Sequence, residues 1–215
     1  MKPLKVAVIE GFHPFAVPQW HELFRALHGV DYYPQVIENW AIDWGKVRTA
    51  YDVLLFYNMN MSLDGPAWLN EPLAAAIAQL GETPQGIVML HHALLAYPDN
   101  ATWSDVVGIG KRAFGYHPEQ EYTLQPVTTA AHSITTGLKP AIFKDETYTM
   151  DEPDATSQIL FTAEHPKSMH AMGWTRTFKQ ARVFCFQPGH DQLAWENPVF
   201  REILQRGIHW SAKRL

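Results

Sequence analysis

The stretch Gly86-Ile87-Val88-Met89-Leu90-His91-His92 decides how the chain is read. An apolar run without charge predicts a strand buried on both faces, as in a parallel sheet. Two imidazoles close it. A second run, Arg182-Val183-Phe184-Cys185-Phe186, ends in the turn Gln187-Pro188-Gly189-His190. In open α/β sheets ligands gather outside the carboxyl ends of strands, so the two runs predict one crevice lined from both strand ends. His117 before a proline and His132 at the start of a turn are further imidazoles placed where a chain puts functional groups.

Outward from this stretch the pattern alternates between strands and helices. Lys5 to Gly11 and Tyr51 to Tyr57 are apolar enough for buried strands, and Tyr33 to Ile37 fits another. Val17 to Leu27 places Trp20, Leu23, Phe24 and Leu27 on one helical face. Asn70 to Leu80 is an alanine-rich helix stopped by Gly81, and Trp103 to Val107 a shorter one. This rhythm marks βαβ units. Residues 108–154, rich in Pro, Gly, Thr and His, are expected as short strands and loops over the carboxyl edge of the sheet. Ile159 to Ala163 and Ala171 to Trp174 form a late strand pair, and Pro198 to Lys213 an amphipathic helix with proline in its first turn.

Bulk properties narrow the partners. The chain has 215 residues, which predicts a single domain over 1–215, and 47% are hydrophobic, enough for a sizeable core. Its 17 basic and 22 acidic residues leave a net charge of −5, which argues against nucleic acid or an anionic membrane as partner. The lone cysteine forbids an internal disulfide and fits a reducing, cytoplasmic setting. No segment approaches the roughly 20 apolar residues of a membrane span. Glu10-Gly11-Phe12-His13-Pro14 lacks the glycines of a phosphate-binding loop, so no nucleotide cofactor is expected.

Several motifs then agree in order: Gly86-Ile87-Val88-x-Leu90-His91, Trp103, His117-Pro118, His132-x-Ile134-Thr135-x-Gly137-Leu138 and Asp145-Glu146-x-Tyr148, followed by Gly173-Trp174, Gly189-His190 and Arg206-Gly207-Ile208-x-Trp210. Over residues 3 to 212 this series resembles the ThuA-like (trehalose utilisation) family of the class I glutamine-amidotransferase-like superfamily. The resemblance implies an α/β fold: a flavodoxin-like three-layer sandwich with a mostly parallel sheet and helices on both faces. It also implies a role in disaccharide or keto-sugar utilisation. Amidotransferases carry a cysteine nucleophile at the strand-to-helix elbow, where this chain has His91, and no His-Pro-Glu triplet follows at the later strand end. Glutaminase chemistry is therefore not expected. The chain departs from the ThuA pattern at His92, where a small residue is usual, and at Ser133, where proline is usual.

Imidazoles titrate near neutrality and suit proton transfer. His91 and His190 are therefore expected as an acid–base pair with Glu146 orienting one of them, in a sugar-processing isomerase, lyase or hydrolase. His117, Trp103, His92 and Tyr148 are expected to hold the small-molecule sugar. Asp145 is the lesser carboxylate, with Arg112 or Arg176 as an ion-pair partner for the Asp145-Glu146 pair. His132 is expected to build its own loop and Cys185 to be inert core. No metal is assigned, although His91, His117 and His190 with Glu146 as oxygen ligand would suit Zn, Mn, Fe or Ni. The alternative class is a non-catalytic interaction module, with a partner or homodimer surface near Trp40, Trp44 and Trp68.

Overall fold

The computed structural model describes residues 2–215. Its strands β1 (Leu4–Glu10), β2 (Val30–Val36), β3 (Val53–Phe56), β4 (Gly86–Leu90), β5 (Gly115–Pro126), β6 (Ala141–Thr149), β7 (Gln158–Thr162), β8 (Ala171–Phe178) and β9 (Ala181–Phe186) form one sheet. The order across it is β2-β1-β3-β4-β9-β8-β7-β5-β6. The first five strands are joined by parallel pairings. From β9 onward every pairing is antiparallel. The sheet is thus mixed rather than mostly parallel, because the chain between β4 and β9 returns through hairpins instead of crossover helices.

Strand periodicity builds two cores. Successive residues of a strand face opposite ways, and Leu4, Val6 and Val8 of β1 face one side while Ala7 and Ile9 face the other. The same split divides Val88 and Leu90 from Ile87 and Met89 in β4, and Phe184 and Phe186 from Val183 and Cys185 in β9. Helices α1 (Val17–Arg25), α5 (Gln192–Trp195) and α6 (Pro198–Ser211) cover the first face. On the second lie α2 (Ile37–Ile42), α3 (Ala67–Ala78) and α4 (Ala101–Val107). No helix of the described residues is long and apolar enough to cross a membrane.

Local chemistry fixes the helix ends. The Asn197 side chain accepts from the Val199 amide to start α6, with Pro198 in the first turn. Asn100 accepts from the Trp103 amide at the head of α4. Where α6 crosses β9, Gly207 leaves no room for a side chain: a Cβ there would collide with the Phe184 ring.

Three expectations need correction. The middle region is no set of short strands but a long hairpin of β5 (12 residues) and β6 (9 residues). Only Gln125 and Pro126 tie it to β7, and the rest carries β6 over the carboxyl edge of the parallel half. Ile37 belongs to α2, not to the preceding strand. Trp40 is no surface residue either, being 2% exposed and packed edge-on against Phe56. Cys185 lies fully inside β9, and burial pushes its thiol pKa up. Gly207→Ala should cost about 1–3 kcal/mol, because the added methyl overpacks an unyielding ring. Chemical denaturation would read it, and an unchanged midpoint would show that α6 packs elsewhere.

Candidate active site

The carboxyl ends of β1, β3, β4 and β9 converge, and β6 reaches in from above. Pairing of β4 with β9 sets Leu90 beside Phe186, so His91 emerges next to Gln187. Adjacent residues of an extended strand would point apart, but the chain turns here. His91 has φ +49 and opens a 3-10 turn over His91–Leu94. Its ring and that of His92 then lie 4.4 Å apart. A left-handed backbone costs a non-glycine residue about 1–2 kcal/mol, and the ring's two hydrogen bonds hold it in place.

Those bonds define its state. His91 Nδ1 lies 2.5 Å from the Gln187 carbonyl, which can only accept, so Nδ1 carries a proton. Nε2 lies 2.6 Å from the Tyr148 hydroxyl and 3.5 Å from Glu146 Oε1. With a neutral ring, the Nε2 lone pair and the carboxylate compete for one hydroxyl proton. The trio is complete only when it takes up one proton more. Burial lowers the His91 pKa, opposed by the Glu146 and Gln187 contacts. Burial lifts Glu146, but bonds and charge from His91, His190 and Tyr148 outweigh it and hold the carboxyl low.

Glu146 is also the bridge to the outside. Its other oxygen lies 4.0 Å from His190 Nε2, whose side chain is 27% exposed, whereas His91 is sealed from solvent. The His91 and His190 rings are 5.5 Å apart. His190 is presented by Gly189, whose φ of +132 a side chain would strain. Tyr57 donates its hydroxyl to the Gly189 and His190 carbonyls, and Trp195 Nε1 donates to the Gly189 carbonyl.

Asp145 clamps this turn from the other side. It accepts from the amides of Gly189 (2.6 Å), His190 (3.1 Å) and Glu146 (2.8 Å). Burial pushes its carboxyl up to about 8, against the pull of those three donors. The expected arginine partners go elsewhere. Arg176 pairs with Asp154, and Arg112 is buried against the carbonyls of Leu94, Ala96 and Tyr97.

Other expected residues fall differently. His92 is 1% exposed and stacks with His13 at a ring-centroid distance of 3.8 Å. Tyr148 lies in the site but meets His91 rather than the opening. Trp103 makes no substrate wall: it is fully buried, packs on Phe56 and Tyr97, and donates to the Ala93 carbonyl, bracing the turn after His92 from below. His117 stands part-buried on β5 opposite Thr147, outside the imidazole cluster. His132 accepts from the Ile134 amide within its own loop. Two residues escaped the sequence reading, His13 and Tyr57. Both follow strands β1 and β3, and the rule that singled out His91 applies to them equally.

A parallel half-sheet with a strand-to-helix elbow at its carboxyl edge is the fold seen in glutamine amidotransferases, here with histidine at the elbow. The 9%-identical glutamine amidotransferase of Thermotoga maritima superposes with a TM-score of 0.58, covering 99% of this chain and 100% of that one. The chain belongs to the ThuA family (trehalose utilisation), whose model matches residues 27–211. A ThuA-like protein from Parabacteroides merdae is 17% identical with a TM-score of 0.75, over 98% of this chain and 90% of that one. A β-galactosidase from Rahnella is 12% identical at TM-score 0.60, covering all of this chain and 32% of that one. No curated protein matches the sequence.

Asp145→Asn places an amide N–H against backbone donors. It should destabilise the protein by about 1–3 kcal/mol, the cost of leaving a buried backbone donor without an acceptor. A thermal or urea midpoint indistinguishable from the parent would show that the clamp holds nothing.

Proposed function

We propose that this protein acts in carbohydrate utilisation, moving a proton on a disaccharide or keto-sugar, with Glu146 as the group that exchanges it. The observation carrying this reading is the Glu146 carboxylate set between two imidazoles, His91 Nε2 at 3.5 Å behind it and His190 Nε2 at 4.0 Å on the open side. Glu146 takes the proton from the carbon beside a sugar carbonyl, and the electron pair moves onto the carbonyl oxygen. Isomerisation and β-elimination share this step. His91, sealed from solvent, is a positioning residue that shares the proton through the far side of the carboxylate. Its Nδ1–H bond to Gln187 sets the tautomer, the part an aspartate plays behind a catalytic histidine. ThuA membership supports the sugar class. The absence of a cysteine at the elbow supports chemistry other than glutamine hydrolysis.

The acidic balance supports neither nucleic acid nor membrane as partner, and a lone, buried cysteine fits a cytoplasmic setting. A second reading, a module that binds a second copy of the chain, draws on Trp44 and Trp68, 91% and 61% exposed. A concentration-independent monomer in sedimentation would remove it.

Deuterium uptake from heavy water into keto-disaccharides, followed by NMR, tests the main reading. Glu146→Gln should slow exchange by about 10²–10⁴-fold, the usual worth of a general base. His91→Gln should lower kcat with KM within about twofold, since it touches no substrate. Wild-type exchange rates in both variants would end the assignment.

A further inference from the structure

We infer that His13, His92 and His190 form a binding site for a divalent transition-metal ion. The three residues come from the ends of β1, β4 and β9, and each offers a ring nitrogen within 4.8 Å of the others. Their ring centroids lie 3.8, 5.4 and 5.5 Å apart.

The independent observation is His92. It is 1% exposed, yet neither ring nitrogen has a hydrogen-bond partner, and His13 Nδ1 is also unpartnered. A neutral imidazole always carries one N–H and one lone pair, so burial without partners costs about 1–3 kcal/mol for each group. A cation on the lone pair turns that cost into a bond.

A competing set, His91, His92 and Glu146, is equally close. It fails because both nitrogens of His91 are already committed, to Gln187 and to Tyr148. The expected set with His117 fails because that residue stands outside the cluster. Asp191 Oδ2 lies 3.4 Å from His190 Nδ1, on the side where a carboxylate partner of a ligating imidazole would sit. Three imidazoles without a thiolate suit zinc, cobalt, nickel or iron in the divalent state. An ion held by three protein ligands keeps an open position, as catalytic zinc sites do. With Glu146 alongside, that position would polarise a sugar carbonyl. His190 then serves as ligand, and proton transfer stays with Glu146 and His91. The ion site itself does not depend on the sugar reading.

The test uses untagged full-length protein, stripped with chelator and titrated with zinc by calorimetry and with cobalt by visible absorption. One ion per chain is expected. His92→Phe and His13→Gln should each weaken binding by at least about 100-fold, while Glu146→Gln and His91→Gln should retain one ion. If His92→Phe fails to fold, His13→Gln alone decides, because its ring lies at the rim. No ion bound by the parent, or undiminished binding in His13→Gln, overturns the site. Ion binding without proton exchange on any sugar would leave the site standing and remove only the function proposed above.

Discussion

The parallel pairing of β4 with β9 is the constraint from which the site follows. It aligns two apolar strands that are distant in the chain so that both end at the same height, with Leu90 level with Phe186. The residue after each strand is then fixed in space: His91 reaches the Gln187 carbonyl because the register leaves nothing between them. A slip of one residue would turn every side chain of the strand to the opposite core. The two apolar clusters therefore enforce the register that the site's chemistry requires.

Above that edge, polar groups do the joining. Asp145 spends both carboxylate oxygens on backbone amides, two of them in the Gly189-His190 turn, and so ties the antiparallel hairpin to the parallel half. Glu146 and Tyr148, two residues apart on β6, meet the same nitrogen of His91. The strained backbone at His91 is thus held from two directions. Such strain at the elbow turns two consecutive imidazoles into one cluster.

What the sequence made legible was the part governed by burial. β1, β3, β4 and β9 are built on apolar runs of four residues or more, and the parallel half and its carboxyl edge followed from them. The β5–β6 hairpin was illegible because three buried positions of β6 are Phe143, Asp145 and Thr147, so hydrophobic alternation breaks where the strand turns functional. A register shift between His117 and Gln120 blurs β5 further. Six-residue α2 lacks a side-chain cap, and its Trp40 looked like a surface aromatic because nothing local says that it meets Phe56. Trp103 misled in the opposite sense, since a tryptophan in the motif series was expected to hold sugar, whereas its N–H is donated to the Ala93 carbonyl. His13 was legible in principle, standing just beyond the end of β1.

The bond from His91 to Gln187 spans 96 positions of chain, and those from Tyr57 to the turn span 132 and 133. Closing such long loops is entropically slow, and topologies rich in distant contacts fold late. The cluster therefore matures only after the final strand has docked, and no amino-terminal fragment, however well folded, can carry it.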